Sequence, residues 1–136
     1  MYHIIEVKSS KRTEMIEISD RLSELIKKDK IKSGLLALFC PHTTCAITVN
    51  ENYDPTVKED IMTMLAKYFP HSYHYAHTEG NADAHIKTSV IGSSQILFVE
   101  NGALVLGTWQ GVFLCEFDGP RTRKILVKII PDKTDI

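Results

Sequence analysis

The chain has 136 residues, sixteen Lys and Arg against seventeen Asp and Glu, and a formal charge of −1. That length fits a single domain over positions 1–136, able to bury roughly two-thirds of its unfolded surface. The balanced charge excludes a nucleic-acid binder that works through a basic excess, and no apolar run approaches the ~20 residues of a membrane helix.

Tyr2–Lys8 and Thr13–Ile18 read as strands around the polar turn Ser9-Ser10-Lys11-Arg12. Ser19 or Asp20 caps a helix with Leu22, Leu25 and Ile26 on one face. Leu35–Cys40 is apolar on both sides, as a central strand is. Thr44–Asn50 alternates: Cys45, Ile47 and Val49 point one way, while Thr44, Thr48 and Asn50 point the other.

Asp54-Pro55 marks a helix start, a capping carboxylate followed by proline at the first helical position. Val57, Ile61, Met64, Leu65 and Tyr68 follow at helical spacing, and Pro70 closes the element. A loop over 70–81 leads to a short helix, Ala82–Ile91. Strands are predicted at Gln95–Glu100, Val105–Phe117 and Arg123–Ile130. Asn101-Gly102 forms a type I′ turn between the first two, and Asp118-Gly119-Pro120 turns the chain between the last two. The order predicts an α+β domain, largely antiparallel sheets packed with two main helices.

Cys40, Cys45 and Cys115 are an odd count. With no charged n-region or apolar h-region in Met1–Glu6, they predict reduced thiols in a cytoplasmic protein.

The chemistry concentrates between His71 and His85, where four of the six histidines fall among Glu79, Asn81 and Asp83 without hydrophobic periodicity. Neutral imidazoles with a nearby carboxylate suit zinc and related metals, so His77, Asp83 and His85 are expected to converge on one ion. A solvated loop is the plainer reading. His42 shares parity with Thr44, Thr48 and Asn50, which makes that row a candidate wall of the site. Trp109, Phe113, Cys115 and Phe117 share a face best read as core, while Gln110 and Glu116 fall on the other. Arg121, Arg123 and Lys124 give the turn after Asp118 the means to hold an anion, since arginine pairs bidentately with phosphate or carboxylate.

His42-Thr43-Thr44 with Asn50-Glu51, then Gly80-Asn81-Ala82-Asp83-Ala84-His85-Ile86-Lys87, then Gly107-Thr108-Trp109-Gln110-Gly111, resemble the YjbQ-like family, whose members are often described as secondary thiamine-phosphate synthase enzymes. The resemblance covers essentially the whole chain. It implies a small α+β protein that forms a homotrimer, with a polar site near the motif histidines that takes zinc. It also implies an activity joining hydroxymethylpyrimidine pyrophosphate to thiazole phosphate with release of pyrophosphate.

On that reading the expected metal ligands are His42, His77 and His85, and the catalytic set is His42, Asp83 and His85. Asn50, Asn81, Gln110, Glu116 and Arg121 are the expected contacts to a small phosphorylated substrate. The metal is a divalent ion, zinc first, with magnesium the alternative for a pyrophosphate substrate. A non-catalytic trimer binding a metal or an anionic metabolite competes with this enzyme, and a cysteine hydrolase using Cys40 and His42 is a third reading.

Overall fold

In the computed structural model, which describes residues 1–133, alternation builds the first strand. Ile5 and Val7 face inward from β1 (His3–Lys8) while Ile4, Glu6 and Lys8 face out. The last positions of the expected domain, 134–136, lie outside the described residues. β2 (Glu14–Glu17) leads into α1 (Ser19–Lys28), whose Leu22 and Ile26 are buried, and then come β3 (Gly34–Phe39) and β4 (Cys45–Glu51). α2 (Pro55–Tyr68) starts at the predicted cap, where Asp54 accepts the Thr56 N–H and Pro55 opens the first turn. α3 (Ala82–Ile91) and β5 (Ser94–Glu100) follow. β6 (Ala103–Val105), β7 (Gln110–Glu116) and β8 (Thr122–Pro131) end the described chain. Among the described residues the domain is α+β, with three helices and antiparallel sheets.

The strands form two sheets, ordered β1-β8-β3-β5-β6 and β2-β7-β4. β3 is central in the larger one, as its composition predicts. The sheets enclose a core from both, with Val7, Leu36, Leu38, Val99, Ile125 and Val127 opposite Cys45, Ile47, Val112 and Leu114, and α1 inserting Leu22 and Ile26. Each such large side chain contributes about 1.5–3 kcal/mol by leaving water. A second cluster lies on the other face of the small sheet, where Met15, Ala46, Phe113, Cys115 and Phe117 pack under Ala84 of α3 and Ile61, Met62 and Leu65 of α2. The predicted stripe of α2 is only partly used: Met64 and Tyr68 stay exposed.

The structure corrects three local expectations. The long strand Val105–Phe117 is two strands in different sheets. Gly107 N–H donates to Gln110 Oε1 (2.8 Å), and Gln110 N–H donates to the Gly107 carbonyl (3.1 Å). That turn breaks the ladder and sends the chain from one sheet to the other. Trp109 therefore leaves the aromatic face it was expected to share and is 55% exposed. Finally, the row containing Thr44 and Thr48 is not an open wall, because α3 packs over β4 and Thr44 is buried.

Asn101 and Gly102 both have positive φ, as the type I′ turn between β5 and β6 requires. Among the described residues no helix is long and apolar enough to cross a membrane.

Candidate functional site

The polar residues gather where β7 ends. Glu116 is fully buried, and its carboxylate accepts the Ser9 hydroxyl (2.7 Å), the Asp118 N–H (3.0 Å), Arg123 Nε (2.8 Å) and Arg123 Nη2. Arg123 Nη2 also donates to Thr44 Oγ1 at 2.9 Å. Burial pushes the Glu116 carboxyl upward, but the Arg123, Asp118 and Ser9 hydrogen bonds outweigh it and hold the group below its ordinary range. Glu116 is thus an ionised anchor with its oxygens already engaged by protein donors.

The same hydroxyl of Ser9 accepts the Arg121 N–H at 2.8 Å, tying the 118–121 turn to the end of β1. Gly119 sits at a close approach there: a Cβ would lie 2.3 Å from the Lys11 carbonyl oxygen. The turn folds Arg121 back so that Nε donates to the Asp118 carbonyl (2.8 Å) and Nη2 to its carboxylate (3.1 Å).

From Asp118 the network crosses to α3. Asn81 Nδ2 donates to Asp118 Oδ2 (2.9 Å), which leaves Asn81 Oδ1 facing His77 Nε2 (3.0 Å). The imidazole therefore donates through Nε2. His85, one turn into α3, meets the His77 ring edge-on with centroids 5.2 Å apart. Asn81 precedes the helix, yet its side chain makes no capping bond because both ends of its amide are committed to this chain.

Asp83 is fully buried beneath it, held by Arg12 (3.0 and 3.3 Å) and by Lys87 (2.7 Å) one turn along α3. Burial raises its pKa, and the Arg12 and Lys87 contacts more than reverse that, keeping the carboxyl below its usual range. His42 completes the corner from the β3–β4 connection. Its Nε2 accepts the Lys124 N–H at 3.0 Å, which places the ring proton on Nδ1. Burial and then the charge of Arg123 lower its pKa, so it is neutral at physiological pH.

In front of this network the 70–82 loop closes a concavity of about 310 Å³, walled by His71, Ser72, Tyr73, Tyr75, His77 and Thr78. His71 Nε2 donates to the Gly80 carbonyl (2.9 Å) and fixes the two ends of the loop. Gly80 and Ala82 bring the first turn of α3 to the cavity.

His77, Asn81, Asp83, His85, Glu116 and Arg121 therefore share one region, with His42 at its β8 side. Asn50 and Gln110 do not. Cys45 pairs with Glu116 at one end of the small sheet and Asn50 with Gly111 at the other, about 17 Å away at ~3.3 Å per residue. Sequence reasoning missed Arg12, Lys87 and Ser9. The i,i+4 spacing of Asp83 and Lys87 on a helix was a readable signal, whereas nothing local connects Arg12 to Asp83.

The fold and site define a class: a two-sheet α+β domain with an arginine- and imidazole-rich corner at the start of α3. The chain matches the family described as UPF0047 protein YjbQ-like over residues 3–132 and belongs to that family. It is 47% identical over 128 residues to UPF0047 protein MJ1081 of Methanocaldococcus jannaschii, covering 94% of this chain and 93% of that protein. Identity to UPF0047 protein YugU of Bacillus subtilis is 45% over 131 residues, covering 96% and 99%. Among solved structures, an uncharacterized conserved protein of the same family from Clostridium acetobutylicum superposes with a TM-score of 0.92 at 48% identity, covering 94% and 99%. A YbjQ-like protein of unknown function from Sulfolobus solfataricus superposes at 0.91 with 34% identity, covering 97% of each chain.

These findings correct the expected function. The relatives are named only as UPF0047 proteins or as proteins of unknown function, and none of those names carries a thiamine-phosphate synthase activity. The expected metal centre fails on its donor set: among the described residues no three His, Cys, Asp or Glu side chains are grouped as a metal ion needs. His42 Nε2 is occupied by a backbone N–H, His77 Nε2 by Asn81, and Asp83 by two cations.

Proposed function

We propose that the protein binds a small phosphorylated molecule in the concavity at the start of α3, and that it does so as a homotrimer. The observation that carries the ligand reading is the wall of donors. The Ser72 and Thr78 hydroxyls and the Tyr73 phenol, backed by two imidazoles whose Nε2–H groups are held by Gly80 and Asn81, line a cavity onto which the first turn of a ten-residue helix opens. Helix N-termini favour anions through their free N–H groups and dipole.

The charges behind the wall are paired: Arg12, Lys87, Arg121 and Arg123 meet the carboxylates of Asp83, Asp118 and Glu116. Glu79 lies 3.7 Å from His77 Nε2, so the neutral donors of the wall are what meets the ligand. His77, anchored through Asn81 and Asp118, is positioned to present its ring to the ligand without reorganisation.

Self-association is supported by the outer face of the five-stranded sheet. Ile4, Phe39, Ile96, Phe98, Val105 and Ile130 are all about half exposed or more. Register places Ile130, Leu35, Phe98 and Val105 in one cross-strand row. An apolar patch beyond a few hundred Å² marks an interaction surface. The threefold count rests on the family resemblance.

Calorimetric titration with inorganic phosphate and with glycerol phosphate tests the ligand, and sedimentation tests the assembly. Saturable binding is expected, weakened roughly tenfold by Thr78→Val as a hydroxyl donor to the charged phosphate is lost. Absence of binding by both probes, or a monomer at micromolar concentration, defeats the corresponding half.

A further inference from the structure

The Asn50-Glu51 and Gly107–Gly111 motifs take no part in the phosphate site, because they lie at the opposite end of β4 and β7. Trp109, the only tryptophan in the chain, stands there 55% exposed beside Tyr53, which is 76% exposed. Their rings meet edge to face with centroids 5.2 Å apart. With Glu51, Asp54 and Pro55 they line a cleft of about 490 Å³.

The cleft is held in shape from several sides. Asn52 N–H donates to the Trp109 carbonyl at 2.9 Å, joining the two loops that carry the rings. Asn52 Nδ2 donates to Glu17 Oε2, also at 2.9 Å. Gly111 makes room for this arrangement, since a Cβ there would lie 2.7 Å from Glu17 Oε2 and 2.8 Å from Asn52 Cβ. The Gly107–Gln110 turn fixes the approach to Trp109.

Each carboxylate has one oxygen committed to backbone. Glu51 Oε2 accepts the Asp54 N–H (3.2 Å), and Asp54 Oδ1 accepts the Thr56 N–H (2.9 Å) and hydroxyl (2.7 Å). Among the described residues Glu51 Oε1 and Asp54 Oδ2 accept no hydrogen bond. Lys58 lines an adjoining recess with Glu17, Glu51 and Asp54 but forms no ion pair with them, its ammonium lying over the Phe113 ring, 5.8 Å from the centroid.

We propose that this cleft binds an organic ammonium or guanidinium group of a small molecule. Aromatic faces attract cations through the ring quadrupole, tryptophan best of all. The two free carboxylate oxygens supply charge-assisted acceptors suited to N–H donors. The same carboxylates, with Glu17 behind them, repel anions, so this site and the phosphate site select opposite charges at opposite ends of the small sheet.

Trp109 makes the test direct. Agmatine, which carries both cationic groups, is titrated against Trp109 fluorescence, with tetramethylammonium as a second probe and potassium chloride as the ionic-strength control. A saturable change with agmatine and none with potassium chloride is expected. Glu51→Gln, which keeps an acceptor for the Asp54 N–H, weakens agmatine roughly fivefold or more as the charge is lost. Tyr53→Leu weakens both organic cations.

The proposal is overturned if agmatine gives no saturable change across the millimolar range, or if Glu51→Gln titrates like the parent. It is equally overturned if Glu51→Gln changes the oligomeric mass instead of the agmatine affinity, because the cleft then holds a side chain of a second copy. Binding of inorganic phosphate is unaffected by Glu51→Gln, so the two sites fail or succeed separately.

Discussion

Asn81 Nδ2 donates to Asp118 Oδ2 at 2.9 Å, so one amide joins the residue before α3 to the turn after β7. Two parts of the chain thirty-seven residues apart thereby become one rigid corner. The other end of that amide holds His77, so the imidazole's orientation depends on a turn it never touches.

Replacing Asn81 tests that dependence. Asn81→Ala frees His77 and is expected to weaken phosphate binding roughly fivefold while changing stability by about 1 kcal/mol. Asn81→Asp is worse on both counts, because it puts a second carboxylate against Asp118 and like charges repel at that range. Calorimetry and urea unfolding on the two variants check the order. Equal effects would show that the amide nitrogen's bond to Asp118 does not orient the imidazole.

The buried pair of Glu116 and Arg123 is structural in its effect, since both are nearly inaccessible and Arg123 Nε and Nη2 each bond a Glu116 carboxylate oxygen. Arg123→Met leaves an ionised carboxylate in the interior and is expected to cost about 3–5 kcal/mol. Glu116→Leu strands the guanidinium and costs a similar amount. The double variant loses less than the sum of the two, because neither charge is left alone. Urea midpoints for the three proteins give the coupling energy, and simple additivity would refute it.

Stability falls with acid in two stages. Asp83 and Glu116 have folded pKa values below their unfolded ones, so their contribution is complete above about pH 5 and is lost as pH falls below about 4 towards the folded values. His42 is also depressed in the fold. The unfolded imidazole takes up its proton first, so stability already declines as pH falls below about 6.5. Urea midpoints measured from about pH 8 to about pH 2.5 are expected to be flat at the top, to decline gently, and then to drop steeply below about pH 4. His42→Asn removes the gentle stage alone, and a profile with no gentle stage in the parent would mean the imidazole titrates alike in both states.

Local rules made most of the fold readable. Asp54-Pro55 marked a helix start, Asn101-Gly102 a hairpin, and the all-apolar run after Gly34 the central strand, because each depends on neighbours in sequence. The break between Val105 and Gln110 was not readable. Leu106, Thr108 and Trp109 are strand-compatible on either side of Gly107, and what stops the strand is the Gln110 side chain folding back onto Gly107. The site divided similarly. His77, Asn81 and His85 could be grouped from one segment, but Arg12 reaches Asp83 across seventy-one residues. The polar row of β4 was misread because parity shows which side chains share a face, not what covers it. Here α3 does.

The exposed apolar sheet face gives a mutational test of self-association. Ile96 and Phe98 are 69% and 65% exposed, and both face outward from β5. Placing a charge among them opposes any contact that buries them, since a desolvated unpaired charge is costly. Phe98→Glu is therefore expected to sediment as a monomer with its circular dichroism spectrum retained. An unchanged assembly would move the interface elsewhere on the protein.

The three thiols are expected to be silent in the native protein. Cys40, Cys45 and Cys115 are at most 1% exposed, and Cys40 and Cys45 face each other with their sulfurs 3.1 Å apart. Their acidities diverge. The hydrogen bond from Cys45 lowers Cys40 and correspondingly raises Cys45, while burial pushes Cys115 up to about 12. Cys40 is thus the most readily ionised of the three, but a nucleophile must also reach its electrophile. A bulky aromatic disulfide reagent should label none of them in buffer and all three in denaturant. Rapid labelling of one native thiol, lost in Cys40→Ala, would instead show that the β3–β4 connection opens and would restore the cysteine-hydrolase reading.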